Sequence, residues 1–408
     1  MRTPSQIAAR LPSAPLIMFA WTLGAIYSLL GAWSLAEVGA MIPSSGAYYT
    51  IARRAYGDYM GFVVGWNDWV SNCSAVAAAA MLVGEYGGDL LPSLNRPLVT
   101  AFVVTGLIAL LQWRGIRWGS GFQLVTSAVT AVVFVVLIVG AFVTPNHPAA
   151  TTHVATVASG IPILFAFILV LQPVIYTFDG WYSAIYFGDE LVDPGREMPR
   201  SMLHSVFLLS AIFLLINAAL FHALGVAGIA KEDLPVAALG ASIFGRAGDT
   251  AVRALMIVAL VALINGVILA ATRVLYAMSR DGWGALAVTR VNRGGTPAVA
   301  LFLSTGVTMA FLLSGSFSRV IAVTTFFFVA KYGISYFAVF MLRKREPDTP
   351  RPYRAWGYPW TTALAVAGSV AFLAGAFVSD MRNSLYGVAL LLMSYPVYRL
   401  TKKFAQPS

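Results

Sequence analysis

Residues 160–188 read GIPILFAFILVLQPVIYTFDGWYSAIYFG, an apolar run whose single charged side chain is Asp179. A helix needs roughly 20 apolar residues to cross a hydrocarbon core about 30 Å thick, and this run is longer than that. Its second half contains Asp179-Gly180, two residues that disfavour helix, among aromatic side chains. We therefore predict a membrane-spanning helix that is interrupted at residues 176–182, in the manner of a transporter site.

Ten further apolar runs of spanning length occur on both sides of this one. The eleven runs lie at 15–41, 59–84, 97–113, 121–144, 160–188, 201–227, 251–279, 297–315, 319–342, 361–379 and 385–400. The connections between them are short, and the runs are too long for the strands of a membrane barrel. The sequence predicts an all-α integral membrane protein with about eleven transmembrane helices.

The composition excludes the other broad classes of protein. Of the 408 residues, 59% are hydrophobic and 11% are charged, and the mean hydropathy is +0.77. Soluble domains carry roughly a quarter charged residues, so neither a water-soluble globule nor a disordered chain fits. The net charge of +10 does not indicate nucleic-acid binding, because no basic motif with interleaved aromatics accompanies it.

The lysines and arginines predict the orientation. When the connections are assigned alternately to the two sides, eighteen of these cations fall on one side and eight on the other. The richer side is cytoplasmic by the positive-inside rule. We expect a multi-pass protein of the cell membrane whose C-terminus is cytoplasmic and whose N-terminal residue faces outward.

Four ionisable residues interrupt the apolar runs: Glu37, Asp68, Asp179 and Lys331. Glu37 lies within about one turn of the cytoplasmic end of its run, which favours an interfacial position. Asp68 and Lys331 each lie about eleven residues from such an end, and hence near the same depth. Lys331 is predicted to pair with Asp68 or with Asp179, either as a proton-linked element of transport or as a structural pair that fixes helix register.

Catalytic machinery is not recognisable in the sequence. The 4 histidines, His147, His153, His204 and His222, lack metal-ligand spacing, and no nucleophile–base pair or phosphate-binding loop is present. We predict a protein that is not an enzyme and that has no cofactor or metal site. A secondary transporter is favoured, with a channel or a membrane scaffold as alternatives.

Several segments together resemble the amino acid–polyamine–organocation permeases. The interrupted run resembles their sixth-helix motif, and the other segments resemble the residues after that helix, the eighth helix, the tenth-to-eleventh connection and the end of the second helix. The sixth-helix motif is matched by Asp179-Gly180-Trp181, and the residues after that helix by Glu190, Pro194, Arg196, Pro199 and Arg200. The eighth helix is matched by Asn265, Arg273, Tyr276, Arg280, Asp281 and Gly282, and the tenth-to-eleventh connection by Pro347-Asp348, Arg351-Pro352-Tyr353 and Gly357-Tyr358-Pro359. The end of the second helix is matched by Ala36-Glu37, Pro43, Ser45-Gly46 and Tyr48.

This resemblance implies a LeuT-type inverted-repeat bundle, for which twelve helices are usual in the family. Residues 1–144 would then be the remainder of the first repeat, 160–342 the second repeat and 361–400 two additional helices, within one transport domain, 1–408. The family's opening helix is not matched, because Arg2-Thr3-Pro4 resembles the residues after the glycine-rich break of that helix. We therefore expect the chain to begin partway through the opening helix.

The resemblance also implies roles for individual residues. The carbonyls of Tyr176, Thr177 and Phe178 would receive the substrate ammonium, with Tyr176 as an aromatic lid. The implied substrate site is completed by Asp179, Gly180, Trp181 and Asn265. A cytoplasmic gate would comprise Glu190, Arg196, Arg200, Arg280 and Asp281. Many sodium-independent members carry a lysine in the fifth helix, whereas this chain has Thr130 there, so Lys331 is a candidate substitute.

The expected function is the movement of amino acids across the cytoplasmic membrane by alternating access, as an exchanger or a proton-coupled symporter. Two alternatives stay open: a transport-inactive truncated permease or membrane interaction subunit, and a polyamine or other organic cation as substrate, which Asp179 would favour. The expected partners are an amino acid and the lipid bilayer, but not nucleic acid. Protons and a second copy of the chain are further candidates.

Overall fold

The fold is all-α throughout the part of the chain that the computed structural model describes, which is residues 3–90, 95–144, 163–314, 317–379 and 381–404. These residues contain one isolated β-bridge, Val291 with Pro297, and no strand. The helices are α1 (Thr3–Ala8), α2 (Ala14–Met41), α3 (Tyr48–Tyr56), α4 (Asp58–Leu90), α5 (Pro97–Arg114), α6 (Ile116–Val143), α7 (Ile163–Thr177), α8 (Pro194–Lys231), α9 (Pro235–Met278), α10 (Ala298–Leu313), α11 (Phe317–Arg345), α12 (Trp360–Ser379), α13 (Met381–Leu392) and α14 (Ser394–Phe404). Short 3₁₀ segments lie at Ser183–Glu190 and Leu286–Thr289, and a π-helical turn at Ser279–Trp283.

Seven of these helices are long and apolar enough to cross a membrane. They are Ala14–Met41, Pro97–Arg114, Gly121–Val143, Pro194–Lys231, Pro235–Trp283, Thr324–Arg345 and Trp360–Val378. Each coincides with one of the runs in the sequence, which confirms the prediction of an all-α membrane protein. The total of eleven spans stays a prediction.

Among the described residues, three of the predicted runs do not form one continuous helix, and in the run 201–227 it is Gly225 that leaves the helical region, with φ +64°. The run 160–188 ends its α-helix at Thr177, because Gly180 adopts φ +108°, a conformation outside the helical region. The run 385–400 is divided at Met393, after which α14 begins with Pro396 in its first turn. Proline is tolerated there because its missing N–H would have had no partner inside the helix.

The chain divides into two compact units, of which unit 1 comprises residues 1–29, 126–181 and 204–259, and unit 2 comprises 30–125, 182–203 and 260–408. Unit 2 is organised around α4. Its segment 74–80, SAVAAAA, is completely buried, and such small side chains allow close approach between membrane helices. α4 also packs against α11, where Val70 and Phe327 lie in one buried cluster with Phe326.

The buried carboxylate of Glu37 holds together three segments of unit 2. Its side chain is 1% exposed and accepts hydrogen bonds from Arg343 Nε and Nη2 at 2.8 and 2.6 Å and from the backbone N–H of Ala355 at 2.6 Å. Arg351 Nε lies 3.3 Å from the same carboxylate. Glu37 therefore lies at a helix end, as its position in the sequence indicates, but it is an internal anchor rather than an exposed interfacial residue.

Unit 1 has an aromatic cluster beside the end of α7. The ring centroids of Phe178 and Phe213 are 5.0 Å apart in an edge-to-face arrangement, and Trp21 lies 5.5 Å from Phe213 and 6.1 Å from Phe178. Phe178 and Trp21 are each 1% exposed. The residue after α7 is thus fixed by packing rather than by helical hydrogen bonding alone.

The close approach of α2 to α7 depends on Gly24. A Cβ atom at this position would lie 3.0 Å from Phe178 Cε2 and even closer to Val174 Cγ1, below van der Waals contact. Because Val174 lies near the end of α7 and Phe178 directly follows that helix, a larger side chain at Gly24 would displace the segment that leads into the helix break.

We predict that Gly24→Ala lowers the melting temperature of the detergent-solubilised protein by several degrees, since overpacking a core costs about 1–3 kcal/mol. The control is Gly106→Ala in α5, where an added Cβ would meet nothing within 4 Å. Differential scanning fluorimetry on both variants measures the effect. Equal melting temperatures for the two variants would show that α2 and α7 can separate at no cost.

Candidate substrate site and buried ion pair

The helix break lies where the sequence predicts it. α7 ends at Thr177, a turn comes next, and the backbone resumes as the 3₁₀ segment Ser183–Glu190. Within the turn, Asp179 N donates to the carbonyl of Tyr176 at 3.1 Å. The hydroxyl of Thr177 donates to Pro173 O at 2.7 Å and forms a 2.9 Å hydrogen bond with the hydroxyl of Thr3, so α1 is linked to the end of α7.

The side chains at the break differ in exposure. Phe178 and Trp181 are 1% and 5% exposed, whereas Asp179 is half-buried and Gly180 is exposed. An added Cβ at Gly180 would meet nothing within 4 Å. The break therefore has two buried aromatic side chains flanking an accessible Asp-Gly pair, and the last carbonyls of α7 lie at the negative end of its dipole.

Lys331 and Asp68 form an ion pair in the interior of unit 2. Lys331 Nζ lies 2.7 Å from Asp68 Oδ1, and both side chains are 0% exposed. Of the two partners that the sequence leaves open for Lys331, Asp68 is thus the one in contact. In a medium of low dielectric constant, each charge would be strongly destabilised without the other.

Hydrogen bonds and aromatic rings complete the environment of this pair. Tyr186 Oη donates to Asp68 Oδ1 at 2.7 Å, and Asn72 Nδ2 donates to the same oxygen at 3.1 Å. Asp68 Oδ2 has no hydrogen-bond partner among the described residues. The ammonium of Lys331 faces the following rings at centroid distances of 4.4 to 5.8 Å: Phe328, Tyr48, Tyr182 and Tyr332. Such faces stabilise a cation by their negative quadrupole.

Local sequence spacing explains how these groups converge. Asp68 and Asn72 are four residues apart in α4 and share one helix face, and Phe328 and Tyr332 flank Lys331 on one face of α11. Tyr186 comes from the 3₁₀ segment after the break. The sequence alone did not indicate Tyr186 or Asn72 as partners of the pair; the available signal for Asn72 was its position one helical turn from a buried acid.

Asn265 belongs to a chain of buried carboxamides. Gln112 Nε2 donates to Asn265 Oδ1 at 2.6 Å, and Asn265 Nδ2 donates to Gln123 Oε1 at 3.3 Å. These contacts connect α5, α6 and α9 within unit 2. Gln112 was not predicted as a partner of Asn265, although a polar residue near the end of the apolar run 97–113 is a signal for such a contact. The Asn265 side chain is thus already engaged by the protein itself.

Thr130 stands where many sodium-independent members of the resembled family carry a lysine, and its side chain forms a hydrogen bond within its own helix. Its hydroxyl donates to Thr126 O, one turn earlier in α6, at 2.8 Å. This back-bonding satisfies a hydroxyl inside a membrane helix without involving a second helix.

Three of the five predicted gate residues form contacts between segments of unit 2. Glu190 accepts from Arg273 Nε at 3.0 Å and also from its Nη2. Asp281 accepts from Tyr49 Oη at 2.9 Å and from Arg53 Nη1 at 2.6 Å. Arg280 Nη1 lies 3.8 Å from Asp189.

The other two predicted gate residues are not brought into this cluster. Arg196 lies 3.9 Å from Asp193 within its own turn, and its side chain is 78% exposed, while Arg200 is exposed on α8. The cluster instead includes Asp189, which accepts from the backbone N–H and the hydroxyl of Ser45 at 3.1 and 2.8 Å. Ser45 and Asp189 are 144 residues apart in the chain, so no local sequence pattern could predict their contact.

A further ion pair joins α3 to the end of α11. Arg54 donates to Glu346 Oε1 and Oε2 at 3.1 and 2.7 Å. These hydrogen bonds from Arg54 lower the pKa of the Glu346 carboxyl below its ordinary value. The pair therefore stabilises the folded state above the ordinary carboxyl pKa, and this contribution is lost as the pH falls through the lowered value.

Long apolar helices, an interruption after α7 and a buried ion pair are features of a multi-pass membrane transporter. The family model described as amino acid permease matches residues 3–395, and the chain belongs to this family. This confirms the resemblance to the amino acid–polyamine–organocation permeases and the prediction of amino acid transport across a membrane by a protein that is not an enzyme.

Relatives of the chain are amino acid transporters. It is 27% identical to the serine/threonine exchanger SteT of Bacillus subtilis (strain 168), over 98% of this chain and 92% of the relative. It is 24% identical to Asc-type amino acid transporter 1 of Mus musculus, over 98% and 76% of the two chains. It is 23% identical to the branched-chain amino acid permease BcaP of Bacillus subtilis (strain 168), over 87% and 79%.

We predict that Lys331→Met and Asp68→Asn each destabilise the protein by about 3–5 kcal/mol, because each leaves a charge buried without its partner. The double variant is expected to recover most of this loss, since no unpaired charge remains. Lys231→Met, at an exposed position at the end of α8, is the control for loss of a lysine. Thermal unfolding in detergent measures all four; a double variant as unstable as the sum of the singles would contradict the pairing.

Proposed function

We propose that this permease exchanges amino acids across the cell membrane by alternating access. The observation that carries the proposal is the interruption after Thr177, because backbone without helical hydrogen bonding is tolerated at membrane depth only where it lines a cavity or a ligand. The similarity to SteT, an exchanger, supports exchange over unidirectional flux.

The proposed substrate site is the end of α7. A carbonyl oxygen has two lone pairs, so the acceptance of a hydrogen bond from Asp179 does not prevent the Tyr176 carbonyl from binding an ammonium as well. With the carbonyls of Thr177 and Phe178, it lies where the helix dipole favours a cation. Trp181 would bound the space for the substrate side chain.

Serine and threonine are the first substrates to test, given the relative with 27% identity. Asp179 supports the alternative of a cationic substrate, because its half-buried carboxylate lies beside Gly180 at the break. Competition by arginine or by a polyamine, and its loss in Asp179→Asn, would distinguish the two substrate classes.

The Asp68–Lys331 pair is proposed to couple transport to protons. It joins α4 and α11 to the segment after the break through Tyr186, so a change in its protonation would alter contacts of that segment. The other titratable groups that face it are Tyr48, Tyr182 and Tyr332. A structural pair that fixes helix register is the alternative.

The cytoplasmic location of the C-terminus is proposed from the distribution of lysine and arginine. The same rule places Arg53, Arg54 and the run Arg343–Arg345 on the cytoplasmic side. The division into repeats at 1–144 and 160–342, and a second copy of the chain as a partner, stay predictions of the sequence.

We predict that the purified protein in liposomes takes up labelled serine in a saturable manner, and that unlabelled serine inside the liposomes accelerates this uptake. Trp181→Ala and Tyr176→Ala should raise the apparent KM at least several-fold, because each removes a wall of the proposed site. The control is Trp360→Ala, a tryptophan that is 77% exposed.

Two results would overturn these assignments. A wild-type protein that takes up none of a panel of amino acids and polyamines would support a transport-inactive subunit. Unchanged kinetics in both Trp181→Ala and Tyr176→Ala would place the substrate elsewhere.

For coupling, we predict that an inward proton gradient stimulates uptake by the wild type and that a protonophore abolishes the stimulation. The Asp68→Asn/Lys331→Met double variant should keep counter-substrate exchange but lose the response to the gradient. Exchange by the double variant serves as its folding control. A response that persists in the double variant, or a wild type without one, would make the pair structural.

A further inference from the structure

A cationic, tyrosine-lined pocket lies on unit 2, where α14 meets the start of α4. Its volume is about 380 Å³, and it is lined by Tyr59, Tyr395, Tyr398, Arg399 and Lys402. Four of these residues belong to α14 at spacing i, i+3, i+4 and i+7, and therefore share one helix face. The pocket shares no lining residue with the helix break or with the Asp68–Lys331 pair.

The aromatic wall of the pocket is fixed by packing. The ring of Tyr59 lies edge-on to Tyr398 at 5.1 Å and to Tyr395 at 6.0 Å. Tyr398 in turn stacks on Trp283 at 5.0 Å and packs against Phe62, which is 1% exposed, at 5.4 Å. The pocket is thus preformed, so a ligand would not have to order its walls.

The positive charge of the pocket is not neutralised by the described part of the protein. Arg399 and Lys402 form no ion pair with a described residue, and the sequence from 381 to 408 contains no Asp or Glu. Asp58, which precedes Tyr59 in the chain, and Asp281, in the turn that contains Trp283, are both bound by Arg53, at 2.7 and 2.6 Å. The pocket therefore attracts an anion.

The surroundings indicate that this anion belongs to a lipid. Tyrosines and cations on one helix face are typical of the membrane–water interface, where phenol rings lie at headgroup level. Tyr59 and Tyr395 are 41% and 50% exposed. The residues just before α14 in the chain, Leu392 and Met393, are exposed apolar side chains, 67% and 52%, of the kind that acyl chains cover.

We propose that this pocket binds the phosphate of an anionic phospholipid headgroup. The guanidinium of Arg399 can donate two parallel hydrogen bonds to phosphate oxygens, Lys402 supplies a second positive charge, and the phenol hydroxyls at the rim can donate further hydrogen bonds. The occupied site would hold α14 against the start of α4 and the π-helical turn that contains Trp283.

The proposal is tested with the full-length protein in maltoside micelles, to which phosphatidylglycerol, phosphatidylcholine or inorganic phosphate is added. Phosphatidylglycerol is expected to raise the melting temperature and to remain bound in native mass spectrometry, whereas phosphatidylcholine should do neither. Each cation near an anionic surface contributes about fivefold in affinity, so Arg399→Gln/Lys402→Gln should weaken phosphatidylglycerol binding about 25-fold.

The matched control is Arg382→Gln, which removes an exposed arginine from the start of α13. It should bind phosphatidylglycerol like the wild type. Equal phosphatidylglycerol binding by Arg399→Gln/Lys402→Gln and the wild type would overturn the proposal. An equal rise in melting temperature with phosphatidylglycerol and with phosphatidylcholine would also overturn it. If millimolar inorganic phosphate alone gave the full rise in melting temperature, the anion bound in the pocket would be free phosphate and not a lipid headgroup, which would overturn the proposal.

Discussion

The constraint on which this structure depends is the lack of water in the bilayer interior, which forces polar groups at that depth to find partners inside the protein. The Lys331–Asp68 pair shows this requirement most clearly. Both side chains are 0% exposed and meet at 2.7 Å, and Tyr186 and Asn72 donate to the same carboxylate oxygen. Because a buried charge cannot leave its partner without a large cost, the pair links α4 to α11.

Buried polar groups elsewhere in unit 2 also have partners inside the protein. The carboxamides of Gln112, Asn265 and Gln123 are joined by hydrogen bonds, and the carboxylate of Glu37 is enclosed by donors from α11 and from the loop after it. Glu190 and Arg273 join the segment after the break to α9. Each contact joins segments that are far apart in the chain.

The break after α7 depends on local sequence, which ends the helix, and on tertiary packing, which positions the ended helix. Asp179-Gly180 ends the helix by conformational preference, because Gly180 adopts a positive φ that other residues avoid. The position of the ended helix is then fixed by Phe178, which packs in the cluster with Trp21 and Phe213. The first effect is visible in the sequence, whereas the second needs residues from three separate parts of the chain.

The membrane-protein class and the family could be derived from the sequence, because hydropathy and motif spacing are local properties of the chain. The length of the apolar runs predicted where seven long helices lie, and Asp179-Gly180 predicted the interruption at 176–182. For Lys331 the sequence narrowed the choice of partner to two acids, since helical rise gives depth but not rotation about the helix axis.

Only the tertiary structure selected Asp68, added Tyr186 and Asn72 to the pair, and showed Asn265 bound to Gln112. It also excluded Arg196 and Arg200 from the ion-pair cluster and included Asp189 and Ser45 instead. These contacts depend on how distant helices rotate and pack, and one sequence does not encode that rotation in any local pattern.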